Sequence, residues 1–428
     1  MKKYAVFLLC GMFLVLIGCL ADSGIPDDIK KMFPKDIRIQ VENPLRMAVT
    51  DEPVIIAIDS LTDADPGFND QAWVAFSDGK EIPGQTADLD GNGTNDALVL
   101  IMPMAGNALK TVHLLYASEG KMERKYPQRV QAELAHKFGG KFVKGDKGKM
   151  VYEGGEFRNV KSLHVPLENT DHSFYIRYEG PGWESDKVGY RFYLDWRNAT
   201  DIFGKKVPQP VLQKVGLDGY DSYHEMSDWG MDILKVGDAI GIGGIGYWDG
   251  EKVLRVSETD SVFCAIAADG PEYAEVHTNY YGWKIGDNKY DLTSRLSILA
   301  GDRKTHHTVT IAPDIESLCT GIVKHEGVRV LKQTDENSQW GYLATYGLQS
   351  LAGDSLGMAV LFRNADVIAL TEDSLNYAVV LKPTDGKLDF YFLAAWEKEP
   401  GGIVSGSQFE QYLKEQVSWL NNPVMISL

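Results

Sequence analysis

The sequence predicts a mainly β protein: a small N-terminal antiparallel β-sandwich, then a large two-sheet β-sandwich, with few helices. Short runs rich in Val, Ile, Tyr and Phe recur along most of the chain with apolar and polar residues alternating. Turn residues punctuate those runs, among 43 glycines and 17 prolines. Only two stretches carry helical spacing. Hydrophobic residues make up 44 % of 428, enough for a sizeable core.

The N-terminus reads as a targeting segment. Lys2 and Lys3 precede an apolar run to Ile17 that is too short for an ordinary membrane span. Leu16-Ile17-Gly18-Cys19 then resembles the bacterial lipobox. Residues 1–18 are expected to be removed as a lipoprotein signal peptide, and Cys19 to carry the lipid. The alternative is an ordinary secretory peptide with an incidental cysteine. Lipidation would anchor a soluble body to a bacterial membrane, facing the periplasm or the cell surface. Residues 19–35 form the tether. Beyond them only Cys264 and Cys319 remain. A disulfide between them is open, and so is a pair of buried thiols.

Residues 36–122 hold the small sandwich, through the runs IRIQVEN, PVIIAIDS, AWVAFSD, ALVLIMPM and TVHLLYAS. Within it, Asp88, Asp90, Asn92 and Asp96 have the oxygen spacing of a calcium loop. The closing Glu is missing, with Val99 in its place. A polar Asn-Gly hairpin is the competing expectation, so calcium enters only as a possible structural ion. RKYPQRVQAELAHKF, residues 124–138, has Pro near its start and is expected to be a linker helix.

Residues 123–428 hold the large sandwich, from SLHVPL to LDFYFLAAW. A terminal amphipathic helix closes it over residues 407–420, with Phe409, Tyr412, Leu413, Val417 and Leu420 on its apolar face. The densest mixture of aromatics, charges and glycines lies in residues 180–248. Such a mixture packs poorly as a core but suits a binding face. As a continuous strand, Arg191, Tyr193, Asp195 and Arg197 would line one face, with Phe192, Leu194 and Trp196 behind. Trp183, Glu184 and Tyr190 precede that strand, and Trp229 follows the Tyr223-His224-Glu225 segment. These are candidate substrate contacts. The glycines of IGIGGIGYW would bring backbone close to a ligand.

His224 and Tyr223 are candidate acid–base groups, because histidine titrates near neutrality. His277, close to Tyr281 in sequence, is a second candidate. Trp396 and Glu397 end the last long strand and are placed at the rim of the same cleft. Two reactions fit the inventory. Glu184 and Glu397 could act as a hydrolytic carboxylate pair. Alternatively, Arg191 or Arg197 could neutralise a uronic acid carboxylate while His224 or a tyrosine removes the adjacent proton. Few acids are obviously paired, which favours elimination.

The net charge of −17 argues against nucleic acid, whose phosphates need a basic footprint. No nucleophile elbow, phosphate-cradling loop or HExxH motif occurs.

GPGWESDKVGYRFYLDWRNATDIFGK and YHEMSDWGMDILKVGDAIGIGGIG carry a family resemblance, supported by IRIQVENPLRMAVTDEPVIIAI and FLAAWEKEPGGI. On these segments the chain resembles lipoproteins of polysaccharide-utilisation systems grouped as domain of unknown function forty-eight sixty-one. The resemblance implies a secreted or lipid-anchored protein working on complex glycans. It also implies a body similar to the β-supersandwich of galactose mutarotases and polysaccharide lyases. Part of that family resembles oligosaccharide dehydratases, which eliminate water from a terminal uronic acid. The leading expectation is therefore a lyase or dehydratase eliminating across C4–C5 of a uronic acid in an oligosaccharide or polysaccharide. A glycoside hydrolase or epimerase, and a non-catalytic surface glycan-binding lipoprotein, are the alternatives.

Overall fold

The computed structural model describes residues 24–145, 148–335 and 337–428. The signal segment and Cys19 lie outside them. Strands dominate, and the three α-helices among the described residues are Asp27–Met32, Ile58–Ala64 and Gly406–Asn421. No helix there is long and apolar enough to cross a membrane.

The N-terminal part is built from two sheets. Lys35–Glu42, Leu109–Tyr116, Trp73–Ser77 and Lys80–Ile82 lie side by side, and Met425–Ser427, from the far end of the chain, adds to the outer edge of Lys35–Glu42. Val49–Ala57, Ala97–Met104 and Gly84–Ala87 form the second sheet. Alternation sends Ile39, Val41, Val54, Ile56, Leu98, Leu100 and Val112 into the space between. The opposite parity of Ala97–Met104 is equally apolar. Val99 and Ile101 point the other way and join the main core. One strand thus feeds two cores, and the small sandwich docks on the body through packed side chains.

The segment expected to be a linker helix is not one. Residues 124–130 run without regular structure, followed by the strands Gln131–Glu133 and Ala135–Phe138. The reason lies in the period. Val130, Ala132 and Leu134 alternate into the main core, a spacing of two rather than 3.6. Gln131–Glu133 pairs with Gly182–Glu184, so tertiary pairing overrides helix propensity.

The body has two layers. One is a nine-stranded antiparallel sheet that includes Ser261–Asp269, Tyr273–Ile285, Asn288–Leu299, Lys304–Ala312 and Lys387–Trp396. The facing layer is divided into two five-stranded sheets. One contains Gly182–Glu184, Val188–Phe192, Thr200–Lys205 and Gly230–Asp232; the other contains Gly246–Trp248, Leu318–Val323 and Asn376–Leu381. Residues 241 and 242 splice the halves, through bridges Thr200↔Gly241 and Ile242↔Ile322. At Gly241 φ is +73°, and a Cβ would stand 1.8 Å from the Thr200 carbonyl oxygen. Gly243 is covered by the Phe392 ring. The glycine run therefore serves backbone packing inside the body, not approach to a ligand.

Helix Gly406–Asn421 covers part of the outer face of the nine-stranded sheet. Ser405 caps it by accepting from the Gln408 N–H at 3.3 Å. Phe409, Leu413 and Val417 pack on Tyr342, Ala344, Leu361 and Leu393. Cys264 and Cys319 are both buried free thiols.

Where the small sandwich meets the body, Arg129 donates to Asp51 at 2.8 Å and to Asp186 at 2.6 Å. Glu272 is fully buried 3.9 Å from the same guanidinium. Neither of its carboxylate oxygens has a hydrogen-bond partner among the described residues. Burial pushes Glu272 up to about 7, against the pull of Arg129. A folded-state value above the unfolded one means stabilisation complete below about 4.5 and lost as pH rises through 7. Glu272→Gln should therefore be the more stable protein at pH 8, by about 1–2 kcal/mol. The difference should vanish near pH 4.5. Thermal unfolding across that range checks this; identical pH dependence in both proteins would contradict it.

Candidate active site

Strand Val188–Phe192 sorts its residues by parity. Tyr190 and Phe192 face the nine-stranded sheet and enter the main core. Arg191 points the other way, into a layer formed by residues 171–179 and 211–232. The alternation stops there. Residues 193–198 turn rather than extend, because the Asp195 carboxylate accepts the Arg197 N–H at 2.9 Å and the Asp195 carbonyl that of Asn198. The expected four-residue polar stripe is thus one strand residue followed by a turn.

That turn nevertheless gathers charged groups. Arg191 is 1 % exposed. Its Nη2 donates to Asp201 Oδ2 at 2.8 Å and to Asp232 Oδ2 at 2.5 Å. Its Nη1 donates to the Tyr178 carbonyl at 3.1 Å and to Tyr223 Oη at 3.0 Å. Tyr193 Oη donates to Asp201 at 2.6 Å. Arg197 binds Asp195 and Glu179, each at 2.6 Å, and Asp171 at 3.1 Å. Arg177 pairs with Glu133, to which Tyr178 Oη donates at 2.5 Å. Three guanidiniums thus meet six carboxylates.

The electrostatics follow from that excess. Burial and the neighbouring Asp201 raise Asp232 well above the usual carboxylate range. Asp171 goes the other way. Lys149, His172 and Arg197 overcome burial and hold it down at about 2.

His224 is the half-exposed member, at 46 %, with Nε2 3.6 Å from Asp232 Oδ2. Burial, then Arg191, holds its imidazole below the ordinary histidine value. Its ring lies 4.6 Å from that of Tyr223, which burial pushes up to about 12. The backbone beneath is strained. His172, Phe174, Tyr178, Glu179 and Asn198 have φ between +35° and +70°. Non-glycine residues persist there only when their surroundings hold them, and such strain collects at functional sites.

A cleft of about 440 Å³ opens beside this network, lined by Lys137, Phe157, Phe174, Leu217, Tyr220 and Asp221. Phe174 stacks on Tyr220 at 4.6 Å. Lys137 has no carboxylate within 4 Å among the described residues, and burial lowers its pKa. The Asp221 carbonyl accepts the His224 N–H, so His224 sits one short turn from the cleft wall.

Arg191, Tyr193, Asp195, Arg197, Tyr223 and His224 are therefore brought together. Trp229 supports them, its ring 6.0 Å from that of Phe203 within the apolar packing below. Several other expected contacts are corrected. Trp183 is fully buried, its Nε1 donating to Thr305 Oγ1 at 2.8 Å. Tyr190 is fully buried, its hydroxyl donating to the Arg303 carbonyl. Trp396 is buried and bonded to Asp354. Glu184 is sealed against Lys205 at 2.6 Å and accepts the N–H groups of Val211 and Leu212. None of these can touch a substrate, because each apolar or paired group completes the interior. Glu397 accepts the Ser355 N–H and lies outside the network.

His277 and Tyr281 belong to the nine-stranded sheet. His277 lines its outer face, registered with Arg295, which binds Glu275 through two bonds at 2.8 and 2.9 Å. The two sheet layers separate it from Arg191. Tyr281 is 43 % exposed near the end of its strand.

Asp88, Asp90 and Asp96 place carboxylate oxygens within 4.8 Å of one another. Asp88 already accepts from the N–H groups of Gly91, Asn92 and Gly93, Asp96 from those of Leu89 and Asp90, and Asn92 Oδ1 from Thr94. Asp171, His172 and Glu179 form a second such group. These are the residues that could hold a cation.

Glu133, Asp171, His172, Glu179, Asp201 and Lys137 escaped sequence reasoning. SFYIRYEG reads as a strand by alternation but folds into the strained turn.

A family model described as Domain of unknown function (DUF4861) matches residues 41–426. No curated protein matches. Among solved structures, an alpha-mannosidase from Enterococcus faecalis V583 is similar over 95 % of this chain and 46 % of its own, at 9 % identity and a TM-score of 0.40. A protein in the glycosyl hydrolase family 38 from Enterococcus faecalis is similar over 95 % and 48 %, at 8 % identity and 0.39. The chain spans about half the length of these structures.

Proposed function

The chain belongs to the DUF4861 family, and on that footing we propose that it is a carbohydrate-active enzyme eliminating across C4–C5 of a uronic acid in an oligosaccharide. The reading rests on one observation: a half-exposed His224 held over the buried Asp232, one turn from an aromatic cleft lined by Lys137, which has no carboxylate within 4 Å among the described residues. Neutral imidazole can take a proton. In the elimination, His224 removes the C5 proton, the electron pair forms the C4–C5 double bond, and the C4–O bond breaks. The imidazolium then returns its proton to the leaving oxygen. Lys137 supplies the positive charge for the uronate, since Arg191 is wholly occupied by Asp201 and Asp232. That assignment replaces the role expected for Arg191.

Hydrolysis by Glu184 and Glu397 loses its basis, because Glu184 is sealed in the interior. A lipid anchor at Cys19 and a place at a bacterial membrane belong to the same proposal, as does a structural calcium at Asp88, Asp90, Asn92 and Asp96. The test is a panel of uronic acid oligosaccharides followed by ultraviolet absorbance and mass. Unsaturated product with loss of one water marks a dehydratase; unsaturated fragments of unchanged total mass mark a chain-cleaving lyase. Products heavier by one water, or binding without turnover, would sink the elimination.

A further inference from the structure

A second cleft, of about 290 Å³, lies on the other flank of the 193–198 turn. Its lining includes Pro166, Thr170, Trp196, Asn198 and Tyr280, together with Asp195, whose charge is met by Arg197. Arg255 stands outside that lining, against Trp196. Trp196 is 45 % exposed, unlike Trp183, Trp283 and Trp396, which are all but fully buried. The Arg255 guanidinium lies 5.3 Å from its ring centroid. Arg255 has no carboxylate within 4 Å among the described residues. Its Nη1 makes one long bond, 3.4 Å, to the Ala239 carbonyl. Asp238 and Asp195 act on it only from beyond salt-bridge distance, and a guanidinium held partly out of water without a close counter-charge is costly unless an anion comes nearer.

The pair is held in place beforehand. Asn198, at φ +39°, donates to the Val256 carbonyl at 3.2 Å and accepts from Tyr280 Oη at 3.2 Å. It thereby ties the turn that carries Trp196 to the residue next to Arg255. Flat aromatic surface suits the apolar face of a pyranose, and the surrounding Thr and Asn groups suit its hydroxyls.

We propose that this cleft is a second sugar subsite, in which an acidic pyranose stacks on Trp196 and its anionic group meets Arg255. The proposal rests on the carbohydrate reading given above and deepens it by assigning where a further acidic unit binds.

The test is calorimetric titration of the full chain with acidic tetrasaccharides of galacturonate or glucuronate, with their methyl esters, and with a sulfated galactan tetrasaccharide. His224→Ala serves as the background, so that binding is read without turnover. Trp196→Ala should weaken every acidic ligand that binds by about tenfold or more. Arg255→Gln should weaken the acidic forms about tenfold and leave the methyl esters unchanged. Carboxylate against sulfate is decided by which acidic ligand shows that loss. Wild-type affinity in both variants overturns the subsite while leaving elimination standing. Binding lost in Trp196→Ala, with no turnover of any ligand by the wild type, keeps the subsite and overturns the elimination. No binding by any acidic ligand overturns both. Trp196 is exposed, so its removal should leave unfolding unchanged, and the melting curve confirms that each variant is folded.

Discussion

His224→Ala should lower kcat by about 10²–10⁴-fold while leaving thermal unfolding within about 0.5 kcal/mol of the wild type. The imidazole is 46 % exposed and its Nε2 stands 3.6 Å from Asp232, so little packing is lost. The pH profile adds a readout that a structural role would not move. Burial and Arg191 hold His224 below the ordinary histidine range. A base acts when deprotonated, so kcat should rise with pH, with the midpoint of the rise below the ordinary value of 6.5. Tyr223, pushed up to about 12, adds no alkaline fall near neutrality. A variant that retains wild-type kcat, or a profile flat from pH 4 to 8, removes His224 from the chemistry.

The second large effect concerns stability. Arg191→Met should destabilise the fold by about 3–5 kcal/mol, the usual result of removing one partner from a buried ionic cluster. Asp201 and Asp232, each about 1 % exposed, would lose their shared guanidinium and stand beside each other inside the protein. Tyr223 and the Tyr178 carbonyl would lose hydrogen bonds, and Tyr193 its ring contact with the guanidinium. The urea midpoint is the measure. Adding Asp201→Asn should recover part of the loss, because one uncompensated charge is then gone. Unchanged stability in Arg191→Met would show that the cluster does not hold the fold together, and would return Arg191 to consideration as a substrate group.

Much of the architecture was legible because burial leaves a period. Alternation marked the strands of both parts, and the Phe409-Leu413-Val417 spacing marked the terminal helix. The same alternation runs through Val130, Ala132 and Leu134, where Pro127 and a run of helix formers carry the opposite signal. The site was half legible. Dense charge and aromatics in residues 180–248 pointed to the right neighbourhood, but composition does not say which way a side chain faces. Trp183 and Tyr190 are register partners that both turn inward, whereas Arg191, registered with Gly182, turns outward. Asp171, His172 and Glu179 depend on left-handed backbone held by tertiary contacts, and nothing local announces it.

The edge strand Met425–Ser427 has a temporal consequence. Gln40, Val41 and Glu42 pair with Met425, Ile426 and Ser427, so the first sheet to leave the ribosome lacks its outer neighbour until those distant residues have been made. During that interval the Lys35–Glu42 edge carries unpaired backbone donors and acceptors, the kind of surface that invites intermolecular pairing. A nascent or truncated chain ending before residue 425 would therefore leave the rim at residues 40–42 open.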